Sequence, residues 1–351
     1  MINKPTSCDI FCTVVDNYGD AGVCWRLARQ LTDEHGWRVR LWIDNIAPLL
    51  RLAPDHAASS VEVRVWPTPW LSTEAADVVI EAFACALPPA YIEAMAGRAR
   101  PPVWLNLEYL SAESWVAGCH GMSSPHPRLP LVKHFFFPGF DEATGGLLRE
   151  RDYDVRRSRF DEAAFRTEFS LPHRAQDELT ISLFSYPNPA LPELMRAWAA
   201  STRPIRLLLP GSTKTAPADG DRTGNLSVHP LPFLPQVRYD ELLWACDLNF
   251  VRGEDSFVRA QWAGKPFVWH IYPQADDAHM AKLDAFLAIH PVGPRMRDFW
   301  HAWNGKGTPD WADFAARLPG LKAPMQQWAT TLAARPNLAS RLVQFCIERL
   351  K

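Results

Sequence analysis

No G-x-G-x-x-G run occurs in these 351 residues, and no Gly-Lys pair is followed by Ser or Thr. Neither the dinucleotide fingerprint nor the P-loop is therefore present. The G-x-S-x-G nucleophile elbow is absent as well, and none of the seven cysteines lies in a recognisable His-paired signature. Cys8, Cys12, Cys24, Cys85, Cys119, Cys246 and Cys346 are odd in number, scattered and without a C-x-x-C pair. That usage fits reduced core residues of a cytoplasmic protein better than a disulfide framework. No apolar run approaches the roughly 18 residues of a membrane span, and the N-terminal residues lack a signal-peptide pattern. Charge of one sign is also missing: 37 basic residues against 39 acidic ones give a net charge of −2. There is thus no general pull toward nucleic acid or an anionic membrane. No internal repeat or low-complexity tract is visible.

What remains is a globular composition, 47% hydrophobic and 22% charged, at about twice a typical domain length. Strand-like runs at Asp9–Val15, Val39–Ile43, Val61–Val65, Val78–Phe83 and Val103–Leu107 predict a first α/β layer. A second series at Leu179–Ser185, Ile205–Leu209, Asp247–Val251 and Pro266–Ile271 predicts another. Between them runs a charged stretch, Leu148–Arg157, whose acids interrupt its bases; it reads as a solvated face or linker. The expected fold class is α/β, with two Rossmann-like domains facing a cleft. The expected division is 1–155, 156–310 and a helical segment 311–351. The 31 prolines fall mainly in connections.

Two loops carry candidate chemistry. After the first predicted strand comes Asp16-Asn17-Tyr18-Gly19-Asp20, followed by Cys24, Leu27, Ala28 and Leu31 at helical spacing. Two carboxylates four apart, with Gly19 and Gly22 permitting close backbone approach, would sit at the carboxyl end of a sheet strand. Open α/β sheets bind their ligands at that end. The second loop is Arg252-Gly253-Glu254-Asp255-Ser256-Phe257, between an apolar run and a short helical pattern that stops at Gly264. A helix N-terminus there favours an anion, because its first N–H groups lack intrahelical partners and the dipole adds to them. Both loops also read as ordinary turns with helix caps.

The segments Val15–Leu31, Phe135–Phe140, Leu183–Pro187, Pro232–Gln236, Arg252–Gln261 and His270–Leu283 resemble, in order, those of the EarP family. These are bacterial protein-arginine rhamnosyltransferases acting on translation elongation factor P. The resemblance implies a glycosyltransferase-B fold whose terminal helices, 311–351, pack back toward the first domain, dTDP-β-L-rhamnose as donor substrate with no separate cofactor, and an inverting mechanism. It places Glu254, Asp255 and Ser256 among the functional residues and lifts Phe233, Gln236 and Tyr186 on the nucleotide side.

Read as chemistry, such a transfer needs a stabilised leaving diphosphate, a positioned acceptor and a base. The backbone N–H groups of Asp255 and Ser256 with the Ser256 hydroxyl suit the diphosphate without a metal. Glu254 or Asp255 would hold ribose hydroxyls, orient the sugar or brace the loop, and Arg252 would offset negative charge or form a structural ion pair. Phe233 supplies a stacking platform and Gln236 a base-reading amide. Phe184 and Tyr186, alternating across a strand, would send one ring into the cleft, and Tyr272 would line the donor end. A guanidinium stays protonated and is a poor nucleophile, so paired carboxylates are the expected means of binding and activating it. Asp20 is assigned as general base and Asp16 as orienter, with their order open, and Asn17, Tyr18 and Gly19 complete the acceptor loop. The Asp276, Asp277 and His279 cluster matches no strong zinc spacing, so no metal is expected. The Phe135–Phe140 run reads as core, an exposed ring there being a contact for the acceptor protein. A transferase with a small-molecule acceptor and a non-catalytic nucleotide-sugar-binding module are the alternatives.

Overall fold

A computed structural model describes residues 5–16, 18–67, 69–70, 73–211 and 221–350. The chain divides into two compact units, Met1–Arg151 with Ala334–Lys351, and Asp152–Ala333.

The first unit is built on a seven-stranded sheet, ordered β3-β2-β1-β4-β5-β7-β6. Its strands are β1 (Ser7–Cys12), β2 (Arg38–Ile43), β3 (Glu62–Val65), β4 (Val78–Ala82), β5 (Val103–Leu107), β6 (Ser123–Pro125) and β7 (Val132–Phe136). All pair in parallel except β6, which runs antiparallel to β7. The central strands β4 and β5 are buried throughout, mostly apolar but for Glu81 and Asn106, as strands of a sheet covered on both faces should be. Strand order reverses between β1 and β4, which are neighbours although β2 and β3 intervene in sequence. The carboxyl ends of those two strands are therefore the switch point of the sheet. Carboxylates are buried within this layer and paired: Glu81, in β4, meets Lys133 Nζ at 3.2 Å, and Asp9, in β1, binds Arg40 through both oxygens at 2.5 and 2.6 Å and accepts from Trp42 Nε1 at 3.2 Å.

The second unit repeats the plan with β8 (Leu179–Leu183), β9 (Ile205–Pro210), β10 (Asp221–Thr223), β11 (Leu226–Leu231), β12 (Leu248–Arg252) and β13 (Phe267–His270). Their order is β10-β11-β9-β8-β12-β13, with the switch point between β8 and β12. The strands predicted from apolar runs recur in both units with ends displaced by up to three residues, β1 starting two residues earlier and ending three earlier, whereas β6, β7, β10 and β11 lie outside those runs. β6 and β10 are three-residue exposed strands with no apolar signal, and β7 shares its residues with the Phe135–Phe140 run. Phe136, Phe137 and Phe140 of that run are buried and Phe135 is half-buried, so it is core.

The terminal helices separate. Helix Trp311–Ala333 belongs to the second unit, not with the last residues of the chain as expected. Aromatic packing decides this: Phe314 stacks on Phe299 at 4.0 Å, and Trp311 meets Trp198 edge-on at 5.7 Å. Trp328 adds a hydrogen bond from its Nε1 to Gln261 Oε1 at 2.6 Å. That helix also contains Pro319 and Pro324, so two prolines lie inside a helix rather than in connections. Helix Leu338–Arg349 alone returns to the first unit, where Leu338, Ala339, Leu342 and Cys346 are buried. Asn337 caps it, accepting from Ser340 N at 2.8 Å, and Leu338 N reaches Leu147 O at 2.9 Å.

The second unit also buries His290 among Phe267, Phe286, Trp300 and Trp328. Neither ring nitrogen has a hydrogen-bond partner among the described residues. Burial pushes its pKa down to about 3. The neutral form is thus the folded form, and the unfolded chain binds the extra proton once pH drops below about 6.5. Stability supplied by neutral His290 is complete above that pH and drains as pH falls toward 3, by up to about 1.4 kcal/mol per unit. His290→Phe should therefore flatten the acid side of a plot of thermal midpoint against pH, with little change at pH 8. An unchanged acid slope would show that other groups govern it.

Candidate active site

In the first unit β1 ends at Cys12, and helix Gly19–Asp33 begins after a six-residue loop. Asp20, in the first helical turn, is 1% exposed. Its Oδ2 accepts the main-chain N–H groups of Val15 and Asp16, both at 2.8 Å, so the loop wraps around this carboxylate. Asp16 is half-buried, and its carboxylate lies over Gly19: a Cβ there would sit 2.8 Å from Asp16 Oδ2. Gly19 N closes the turn onto Asp16 O at 2.7 Å. The absence of a side chain at Gly19 is what lets the acidic loop fold back this tightly. Tyr18 turns away to Arg51, which donates Nη1 to the Tyr18 hydroxyl at 2.7 Å. Asn17 lies outside the described residues.

A residue that the loop motif did not reveal also reaches Asp20. Tyr109, two residues past β5, donates its hydroxyl to Asp20 Oδ1 at 3.2 Å. Its ring stacks on Phe83, just past β4, with centroids 4.3 Å apart and planes at 14°. Tyr109 lies outside the predicted runs and Phe83 only ends one, so it is the three-dimensional convergence of β1, β4 and β5 that sets the pair beside the carboxylate.

In the second unit β12 runs into Arg252, and Gly253 takes a φ of 62°, the left-handed turn that glycine tolerates. Helix Asp255–Ala263 follows. The turn is pinned from both sides: Gly253 N donates to His270 O at 3.2 Å, and Trp269 Nε1 donates to Gly253 O at 2.7 Å. Ser256 Oγ accepts Arg252 N at 3.1 Å and donates back to Arg252 O, so the hydroxyl closes the turn. Glu254 occupies the N-cap position half-buried, without a side-chain cap bond.

Asp255 is braced. Gln236 Nε2 donates to its Oδ2 at 2.9 Å and Arg259 Nε to the same oxygen at 3.1 Å. Arg259 continues to Asp240 Oδ1 at 2.8 Å, and Arg156 meets the other oxygen of Asp240 at 2.9 Å. Of the roles open to Asp255, bracing is the one its contacts display. The Gln236 amide nitrogen is engaged in the same brace.

Arg252 does not follow the electrostatic expectation. Its guanidinium carbon lies 4.3 Å from the Phe184 ring centroid and 4.7 Å from that of Tyr186, and Nη1 donates to Ser185 O at 3.2 Å. Because β8 ends at Leu183, Phe184 and Tyr186 lie in the following loop, where strand alternation no longer separates them, and both rings face Arg252. Tyr186 also meets Tyr272 edge-on at 5.5 Å and His270 at 5.3 Å. Burial, with Arg252 and His279 adding positive charge nearby, pushes the His270 pKa down to about 4, so this ring is neutral at pH 7. Phe233, half-buried, lies against Gly211 at the end of β9. Phe184, Tyr186, Arg252 and Glu254 thus cluster at the β8/β12 switch point, as Asp16, Asp20 and Tyr109 do around the β1/β4 switch point. Among the described residues no group of three or more His, Cys, Asp or Glu is placed to hold a metal ion. No described helix is long and apolar enough to cross a membrane.

Two largely parallel sheets, each with a switch point, set the fold, and comparison with known proteins shows the family. The family model for Elongation-Factor P (EF-P) rhamnosyltransferase EarP matches residues 8–347. A protein-arginine rhamnosyltransferase of Pseudomonas aeruginosa is 48% identical, over 98% of this chain and 100% of its own length. A solved structure bearing on EarP-mediated arginine glycosylation of translation elongation factor EF-P superposes with a TM-score of 0.68. It is 34% identical and the match covers 98% of this chain and 99% of that one. MurG of Acinetobacter baumannii, at 13% identity, TM-score 0.55 and coverage of 98% and 100%, shares the fold alone. The chain belongs to the EarP family and is a glycosyltransferase of the two-Rossmann-domain B type, a protein-arginine rhamnosyltransferase.

Proposed function

We propose that the enzyme transfers L-rhamnose from dTDP-β-L-rhamnose to an arginine of translation elongation factor P with inversion at the anomeric carbon. The observation that carries the acceptor half is the Asp20 carboxylate, held by two main-chain N–H groups beside Asp16 at the carboxyl end of β1. A cationic, planar guanidinium suits two neighbouring carboxylates, which offer charge and paired acceptors. In a single displacement the arginine nitrogen forms a bond to the anomeric carbon as the bond from that carbon to the diphosphate oxygen breaks. Asp20 takes one N–H proton, Asp16 orients the cation, and the glycosylated guanidinium keeps its single positive charge. dTDP leaves with both electrons of the broken bond.

The donor is assigned to the second unit. The N-terminus of helix Asp255–Ala263 suits the diphosphate, because its first N–H groups have no partners within the helix and the helix dipole favours an anion. Ser256 shapes the turn that presents those groups, and Glu254, at the N-cap, is assigned to the sugar. Phe233 is assigned to the thymine face, with Tyr186 and Tyr272 beside it. Gln236, whose amide nitrogen braces Asp255, supports the diphosphate end through that residue. The work is done by helix N–H groups and side chains, with no metal in the scheme and the localisation cytoplasmic, where the acceptor is made.

The test is to incubate the protein with dTDP-rhamnose and elongation factor P in EDTA and map the product by mass spectrometry. A deoxyhexose on an arginine is expected, at the rate seen without chelator. Transfer only to a small molecule would replace the acceptor, and activity abolished by EDTA and restored by magnesium would replace the metal-free diphosphate site.

A further inference from the structure

Asp20 is 1% exposed, whereas Tyr109, hydrogen-bonded to its Oδ1 at 3.2 Å, is 38% exposed. A substrate approaching the carboxylate from that side meets the tyrosine first. A carboxylate offers about four acceptor positions. The described bonds use two on Oδ2 and one on Oδ1, so among the described residues the open position is on the oxygen that Tyr109 holds.

Phe83, stacked on Tyr109, is carried on strained backbone. Phe83 and Ala84 have φ of 57° and 55°, a region that side chains other than glycine rarely adopt. Two bonds from β5 hold them there: Phe83 N donates to Leu107 O at 2.7 Å, and Ala84 N donates to Asn106 Oδ1 at 3.1 Å. Two adjacent residues kept in that region signal a position fixed by its surroundings for a purpose. Here the visible result is one ring laid parallel to another, beside the carboxylate pair.

We propose that Tyr109 and Phe83 form the arginine-recognition surface of this enzyme. The paired rings give the planar guanidinium a face to lie against, and the Tyr109 hydroxyl keeps Asp20 Oδ1 turned toward it. Aromatic faces attract guanidinium groups through the ring quadrupole and by stacking of planar systems. Tyr109 is thereby both a substrate contact, through its ring, and a positioning residue, through its hydroxyl. The inference rests on the reading of Asp20 as the base.

The two parts separate kinetically. Tyr109→Phe keeps the face and loses the hydroxyl, so kcat should fall about tenfold with the KM for elongation factor P within about twofold. Phe83→Leu keeps bulk but loses the aromatic face, so the acceptor KM should rise by about 2- to 30-fold. In an Asp20→Asn background, adding Tyr109→Phe should cost less than about twofold more, because the hydroxyl acts through the missing carboxylate. Thermal unfolding and dTDP binding of each variant report whether the units remain folded. Parent-like kcat in Tyr109→Phe, or parent-like acceptor KM in Phe83→Leu, overturns the corresponding half. A full further loss in the double variant overturns the link to Asp20. If Asp20→Asn itself keeps parent-like turnover, the reading of Asp20 fails instead, and the two failures are distinct.

Discussion

Replacing Asp20 by Asn should lower turnover by about a hundredfold or more while leaving dTDP binding unchanged, in keeping with the usual contribution of a general base. The surroundings make this an unusually clean substitution. The Asn oxygen can still accept the N–H groups of Val15 and Asp16, and its NH2 can donate to the Tyr109 hydroxyl, which accepts as readily as it donates. The loop keeps its hydrogen bonds; only the base and a negative charge disappear. Steady-state kinetics with elongation factor P, paired with calorimetric titration of dTDP, read the two quantities separately. Turnover within a few-fold of the parent would remove Asp20 from the chemistry.

The second large effect lies in the support of the donor side. Arg259 is 3% exposed and ties Asp240, fully buried, to Asp255. Arg259→Met keeps length and apolar bulk but leaves two carboxylates short of a partner. Breaking a buried charge network by removing one member costs about 3 kcal/mol or more. For a unit of this size that is a fall in thermal midpoint of roughly 6–12 °C. Asp255 would lose Arg259, one of the groups fixing it, so dTDP affinity should fall as well. Calorimetry that shows the parent midpoint and parent dTDP affinity would mean that Arg156 and Gln236 hold the network without Arg259.

Much of this was legible because the carriers were local. A strand, a tight turn and a helix start within Leu248–Ala263 can be read from an apolar run, a glycine and a short helical pattern, and β12 and its helix follow that reading. Asp16 and Asp20 are likewise signalled by the glycines around them. What was not legible depends on residues far apart in sequence. Nothing near Tyr109 says that its hydroxyl meets a carboxylate 89 residues earlier. Nothing near Gln236 says that its amide nitrogen donates to Asp255, 19 residues on. Arg252 carries a formal charge, which suggests ion pairing, yet its contacts are with Phe184 and Tyr186, one and three residues past the end of β8. The resemblance sends the terminal helices back to the first domain, but in helix Trp311–Ala333 Trp311 and Phe314 answer to the rings of Trp198 and Phe299.

The division of the chain carries a consequence for biosynthesis. Met1–Arg151 emerges from the ribosome first, but its unit also needs Ala334–Lys351, whose Leu338, Leu342 and Cys346 are buried. At roughly 5–20 residues per second, translation of the intervening Asp152–Ala333 takes on the order of ten to forty seconds. During that interval the nascent first sheet has an uncovered apolar patch, while the later unit can complete its own core beforehand. Asp152–Ala333 can thus close its core before the unit whose synthesis began earlier has all of its residues. Met1–Arg151 is therefore the stretch that waits, since the helix completing its core follows it by the whole length of the other unit.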